Sequence, residues 1–274
     1  MKRLANPMTL YRRRDRILPR LAHHAQQWAA FCGTPLCAND RRLLELRDAH
    51  RGRRALIVGN GPSLRTEDLD RLHNEITFAS NKIYLAFQQT AWRPTYYSVS
   101  DILVAKNNRE AIAGLRLQKF FGSSVRAEFG EQGDVLWLRE LPAGRPRFST
   151  NCAAGVYGGY SVVYHQLQLA YHLGIREVYL IGLDFSFQVP QATGEESIHG
   201  PVLRSQGEVN HFHKDYRAPG EKWTMPRLDE QRKALQCARE TFEARGGVIF
   251  NASRRTKLDV LPRIEFDGVI RKAA

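Results

Sequence analysis

The sequence predicts an α/β fold: a Rossmann-like, mostly parallel sheet with helices on both faces. Three observations predict it. Two runs rich in β-branched residues, RALIVGN (54–60) and IREVYLIGLDFSF (175–187), read as buried parallel strands leading into glycine. Strand-like runs alternate with amphipathic stretches, as crossover connections require. The polar segments GNGPSL, Ser80-Asn81, SVSD, GLDF and NAS all fall at carboxyl ends of predicted strands, where sheets of this kind bind ligands.

The elements follow in order. Residues 1–52 form a basic helical extension, with helices over 8–32 and 40–50 broken near GTPLCAND. The main domain spans 53–268 and opens on the strand at 54–58. A helix over 63–74 follows, with Ser63 or Thr66 as its cap before acidic first-turn residues. EITFASN is a second strand, KIYLAFQQTAW a helix or long turn, and PTYYSVSD a third strand closing on Asp101. NNREAIAGLRL reads as helix, and KFFGSS and DVLWLREL as short strands. The glycine-rich NCAAGVYGGYS enters the helix VVYHQLQLAYHLG, which Gly174 stops. After the strand IREVYLIGLDFSF, residues 188–225 are polar, carry few periodic apolar positions, and are too long for a routine connection. They read as a lid or substrate loop. MPRLDEQRKALQCARETFEARGG is an amphipathic helix and VIFNAS a last strand.

Composition bounds the function. The chain has 274 residues, 43% of them hydrophobic and 25% charged, enough to bury a full core without staples. Cys32, Cys37, Cys152 and Cys237 form no CxxC pair and have no histidine at zinc spacing, so they read as reduced thiols of a cytoplasmic protein. No run of about 18 apolar residues spans a membrane, and no apolar segment follows the first basic residues as in a secretory signal. The net charge is +13, and residues 1–54 carry thirteen Lys/Arg against four Asp/Glu. That segment is either a solvated helix or a contact for an anionic partner. No aromatic stacking run or binding motif accompanies the charge, which argues against nucleic acid. MTLYRRRDRILPRLAHHAQQWAAF mixes Leu, Trp and Phe with Arg, which leaves open a peripheral contact with the cytoplasmic face of the inner membrane.

The turn GNGPS lacks the third Rossmann glycine and any P-loop lysine. Its backbone N–H groups at Gly59, Gly61 and Ser63 suit one phosphate; Asn60 adds a donor and an acceptor, and Pro62 stiffens the turn. The alternative is a tight strand–helix turn with no ligand. Asp101 and Asp184 close neighbouring strands at the expected cleft, and either suits Mg²⁺ on a triphosphate. Asp184 serves equally as a turn cap, whereas nothing nearby obliges an acid at 101. His211 and His213 alternate on an extended segment, and a near-neutral imidazole there takes a proton from an attacking hydroxyl. His199 stands at no recognised ligand spacing, and His165 and His172 read as structural. Arg204, Lys214, Arg217 and Lys222 crowd the loop as solvated charges or as a grip on phosphate. Trp223 stacks on a ring or anchors the lid.

The motifs ALIVGNGPSL, ITFASNKIYLAF, PTYYSVSD, GGYSVVYHQLQLAYHLGIREVYLIGLDFSF, NHFHKDY and FEARGGVIFNAS together resemble the bacterial domain of unknown function 115 group over about residues 50–265. That group is named for MptE, an archaeal 6-hydroxymethylpterin diphosphokinase, and many members look like parts of surface-polysaccharide or flagellin-glycosylation systems. The same pieces are similar to glycosyltransferase family 42, sialyltransferases that use CMP-sialic acid. The resemblance implies a transferase taking a CMP-linked sugar donor to a glycan acceptor, with no metal cofactor. It implies nucleotide contacts from Asn60, Gly61, Ser63, Asn81, Gly159 and Ser161, to which their places in the turn and at a strand end add Gly59, Pro62 and Asp184. His211, or second His213, would be the base, with Lys214, Tyr216, Arg217 and Trp223 on substrate or phosphate. The third strand departs from the family by ending in Asp101 rather than asparagine, and no tyrosine pair follows GLDF, where Ser186 and Phe187 stand. The rival expectations are an MptE-like diphosphokinase with Mg²⁺ on Asp101 and Asp184, and a non-catalytic nucleotide-binding scaffold.

Overall fold

The structure, a computed structural model, describes residues 24–130, 132–190, 192–197 and 200–271. The helix expected over 8–32 is therefore described only from residue 24, where residues 24–31 are helical; His199 lies outside the described residues.

Among the described residues twelve strands follow in chain order: β1 Arg54–Val58, β2 Ile76–Ser80, β3 Tyr96–Val99, β4 Gln118–Gly122, β5 Val135–Leu138 and β6 Glu140–Leu141. Then come β7 Val156–Tyr157, β8 Glu177–Ile181, β9 Ala192–Ser197, β10 Gly200–Arg204, β11 Lys222–Thr224 and β12 Val248–Asn251. Seven of them build the central sheet in the order β12-β8-β1-β2-β3-β4-β5, with every neighbouring pair parallel. The expected fold class stands. Ala55 and Ile57 of β1 enter the core on one face, Leu56 and Val58 the core on the other. A strand covered on both faces has to be apolar at every position, which is why RALIV shows no alternation.

Four helices matter below: α1 Ala38–Glu45, α2 Ile102–Asn107, α3 Val162–His172 and α4 Leu228–Glu243. α3 and α4 cover one face through Leu167, Ala170, Ala238 and Phe242. Ser161 caps α3 by accepting the Val163 N–H at 3.3 Å, and Gly174 ends it at φ +88°. α3 is buried nearly all round, so its polar residues need partners. Gln168 donates to the carbonyls of Tyr157 and Tyr164 and accepts the N–H groups of Ser149 and Tyr157.

Three expectations need correction. The helix over 63–74 shrinks to Thr66–Leu69 and a 3₁₀ turn Asp70–Leu72, and neither Ser63 nor Thr66 caps it, because Arg65 holds the cap position and the Ser63 amide faces Asp184 instead. Residues 107–117 split into α2 and Arg109–Ala113, since Asn108 turns its side-chain amide back onto the Val104 carbonyl at 2.9 Å. The polar segment 188–225 is not a plain loop: β9, β10 and β11 form an antiparallel sheet within it. Its paired backbone carries the structure, so it shows little apolar periodicity. A helix at Phe266–Arg271 was not expected from the sequence.

Parallel sheets bind ligands where the chain order reverses, here between the carboxyl ends of β1 and β8. That crevice is closed. Gly59 donates to the Ile181 carbonyl at 2.7 Å and Gly61 to the Gly182 carbonyl at 2.8 Å. A Cβ on Gly59 would lie 2.5 Å from the Gly182 oxygen, so only glycine permits this approach.

Candidate active site

The open space lies beside that crevice. A cavity of about 450 Å³ is bounded by Asn81 after β2, Ser100 and Asp101 after β3, Glu140 in β6 and Gly159 to Ser161 before α3. The 188–225 segment, with residue 187 before it, closes it with Phe187, His211, Tyr216, Arg217 and Trp223. Sequence reasoning placed Asn81, Asp101, Gly159, Ser161, His211, Tyr216, Arg217 and Trp223 at the site, and the fold brings these eight to one cavity. Gly59, Asn60, Gly61, Pro62, Ser63, Asp184, His213 and Lys214 do not line it.

The Gly59, Gly61 and Ser63 amides of the GNGPS turn are taken up from within, whereas Asn60 Oδ1 and Ser63 Oγ are buried without a hydrogen-bond partner among the described residues. Asp184 supplies the anion for one of these amides: the carboxylate accepts the Ser63 N–H at 3.1 Å, and a Cβ on Gly61 would lie 2.1 Å from it. The Asn60 side-chain amide donates to the Ser80 carbonyl at 3.2 Å, and the Asn60 main-chain carbonyl accepts the Phe212 N–H at 3.0 Å. Asp184 thus caps this turn, rather than a turn following it in the chain, as the second expected role had it. Asp101 has a structural duty as well, since its carboxylate accepts the Val104 N–H at 3.0 Å and caps α2. An aspartate directly before ILVAKN is an N-cap signal that the sequence reading passed over. Asp101 and Asp184 do not meet at the cavity, and among the described residues no cluster of three or more His, Cys, Asp or Glu side chains is placed to hold a metal. The two acids were expected on neighbouring strands, but β1 and β2 stand between β8 and β3 in the sheet.

His211 occupies the centre of the lid's inner surface. Its ring lies parallel to that of Tyr216, with centroids 3.7 Å apart, and edge-on to Phe187. Its Nδ1 is 3.0 Å from the carboxylate of Glu208, whose side chain is 1% exposed. Burial pushes the imidazolium down to about 4; Glu208 opposes that shift, and Arg217 and Lys82 add to it. Burial raises the Glu208 carboxyl, but His211 and the Asn210 amide outweigh it and hold it below the ordinary value. The result at neutral pH is a neutral imidazole with an ionised carboxylate behind it. Tyr216 is buried, and burial pushes its phenol well up. His213 points elsewhere, with Nδ1 3.8 Å from Asp215, and Lys214 is exposed.

Arginines supply the positive charge. Arg217, its ordinary value lowered by burial, lies 3.6 Å over the Trp223 ring. Arg145, Arg147 and Arg227 line the cavity too, Arg227 lying 4.4 Å over the Tyr160 ring. Among the described residues none of these four arginines is ion-paired with a carboxylate. Lys82, by contrast, is buried and paired with Glu221 at 3.1 Å, which ties the lid to the end of β2. A second carboxylate–imidazole contact sits across the cavity, His165 Nε2 to Glu140 at 3.7 Å. His165, read as structural from the sequence, is thus part of the wall.

The backbone is strained around the same space. Asn81 and Tyr160 hold left-handed conformations at φ +54° and +58°. Gly159, at φ +60°, has no room for a side chain, since a Cβ there would lie 2.4 Å from Tyr164. Such conformations persist where surrounding structure fixes them, commonly at ligand sites. Sequence reasoning missed Glu208, Glu140, Arg145, Arg147 and Arg227. Only PAGRPR, two arginines just past a predicted strand, carried a signal that could have been read.

Fold and cavity together define a Rossmann-like α/β protein with a cationic, histidine-bearing site off the carboxyl edge of its sheet. No protein-family model matches the sequence. No curated protein matches it either. A solved structure with a similar arrangement is the MAf glycosyltransferase from Magnetospirillum magneticum AMB-1, at 16% identity and a TM-score of 0.48 over 84% of this chain. The chain spans 38% of that protein's length. No helix among the described residues is long and apolar enough to cross a membrane.

Proposed function

We propose that the protein is a glycosyltransferase acting on a nucleotide-activated sugar, with His211 as general base. The observation that carries this reading is the Glu208–His211 pair in the cavity wall beside four arginines, none of them in a direct ion pair with a carboxylate among the described residues. With Nδ1 turned to Glu208, Nε2 is the ring atom left for a substrate. A neutral imidazole there accepts the proton of an acceptor hydroxyl as its oxygen attacks the anomeric carbon. The bond from that carbon to the donor's phosphate oxygen breaks, and the phosphate leaves with the bonding electrons. Glu208 stabilises the imidazolium that forms, and the arginines neutralise the leaving phosphate.

A CMP-linked donor fits this site best, because its leaving group is a single phosphate that arginines can neutralise without a divalent ion. The satisfied GNGPS amides support phosphate contacts from Arg145, Arg147, Arg217 and Arg227 rather than from the turn. Asn81 and Ser161 border the same space and supply polar contacts for the nucleoside and sugar. The acceptor is a glycan hydroxyl, as surface-glycan assembly requires.

Incubation with CMP-, UDP- and GDP-sugars and with ATP, each with and without Mg²⁺, tests the reading through free nucleotide released. Release of CMP without metal supports it. Turnover of ATP alone, only with Mg²⁺, would replace it with the diphosphokinase.

A further inference from the structure

We infer that the face carried by helical residues 24–31 and the turn after them is a docking surface for an anionic lipid bilayer. The inference is independent of the transferase reading. Trp28, Phe31 and Leu36, all large and apolar, are 67%, 65% and 63% exposed. Trp28 and Phe31 lie one turn apart and meet edge to face at 6.0 Å, so they form one patch. The opposite side of the same helix is fixed. Ala30 is fully buried in the core, and its carbonyl accepts from the Asn151 side chain at 3.4 Å. Gly33 ends the helix at φ +79°, and Thr34 closes it by donating to the Ala29 carbonyl. The aromatics are therefore held outward by a helix that cannot roll them inward without extracting Ala30.

Charge selects the occupant. Seven Lys/Arg and one Asp precede this helix in the sequence, and exposed Arg41 and Arg42 follow it on α1. A helix with Trp and Phe outward and arginines on both sides has the composition of an interfacial segment. The rings enter the headgroup boundary and the arginines meet anionic headgroups. The patch is also tied to the cavity wall. The Asp40–Arg139 ion pair at 3.0 Å and the Asn151 contact join this N-terminal layer to residues 139–151, which include cavity-lining Arg145 and Arg147. A bilayer bound here holds the cavity at a constant distance from the membrane.

The test is flotation of the full chain with vesicles of phosphatidylcholine alone and of phosphatidylcholine with phosphatidylglycerol, at low and high salt. Wild type is compared with a Trp28→Ala/Phe31→Ala double variant. Both side chains are exposed, so the variant should melt at the wild-type temperature. The expected result is binding to the anionic vesicles only, weakened by salt, and reduced about tenfold or more in the double variant. Failure to float with anionic vesicles would overturn the inference. So would equal binding by the double variant, or a lipid-free dimer that the double substitution dissociates, which would assign the patch to a second copy.

Discussion

Replacing Glu208 with glutamine probes the catalytic pair with almost no change of shape. The carboxylate lies 3.0 Å from His211 Nδ1, and the Glu208 side chain is 1% exposed, so water does little to screen the pair. Two unit charges at about that distance, at an effective dielectric of about 20, interact by roughly 5 kcal/mol. In the ground state His211 is neutral and most of that interaction is absent; it appears as the imidazolium forms in the transition state. Glutamine keeps a dipole at the same place and recovers part of it. The expected loss is about 3–4 kcal/mol of transition-state stabilisation, or roughly 10²–10³ in kcat with little change in KM. The assay is initial-rate release of nucleotide from pH 5 to 8 on variant and wild type. With His211 titrating at about 4, the wild-type acid limb falls below this window. Removing the carboxylate moves it lower still, so the loss should be uniform with pH. A rate within about twofold of wild type, or a new acid limb inside the window, would refute the reasoning.

Further outcomes follow from the same geometry. His211 titrates at about 4 when folded against an ordinary 6.5, so the unfolded chain binds the extra proton between those values. Its contribution is intact above about 6.5 and is lost as pH falls towards 4, by roughly 3 kcal/mol in full; urea titrations at pH 7 and 4.5 should show this, and His211→Gln should flatten the slope. Gly61→Ala should cost about 1–3 kcal/mol by denaturant unfolding, because its Cβ would overlap Asp184 and approach the Gly182 oxygen at 2.7 Å. Arg145→Ala combined with Arg147→Ala should raise KM about tenfold or more while the melting temperature holds, since both side chains are exposed at the cavity. Asp101→Asn should keep the helix cap and most of the activity, because asparagine caps as well as aspartate.

The fold was legible because parallel strands advertise themselves. RALIV and EVYLI are apolar at nearly every position, and a strand buried on both faces must be. Half of the site was legible for a related reason: Asn81, Asp101 and Ser161 stand where strands end and a helix begins, and sequence marks those places. The contacts that decide chemistry were not. GNGPS reads as an anion grip, yet the anion it meets is Asp184, 121 positions further along the chain, and nothing local announces that pairing. Glu208 is only three residues from His211, but its role depends on the lid's folded path and on burial, neither of which has a periodic signature. The lid itself pairs backbone to backbone in β9, β10 and β11, so its composition stays polar while its structure is regular.

The most direct test of the central claim pairs turnover with binding in His211→Ala. Nucleotide affinity is measured by calorimetry and sugar-transfer rate on the same preparations of variant and wild type. The account predicts an unchanged Kd and a rate at least about 100-fold lower, because the phosphate is held by arginines and the proton by His211. A variant that transfers sugar at the wild-type rate would contradict it.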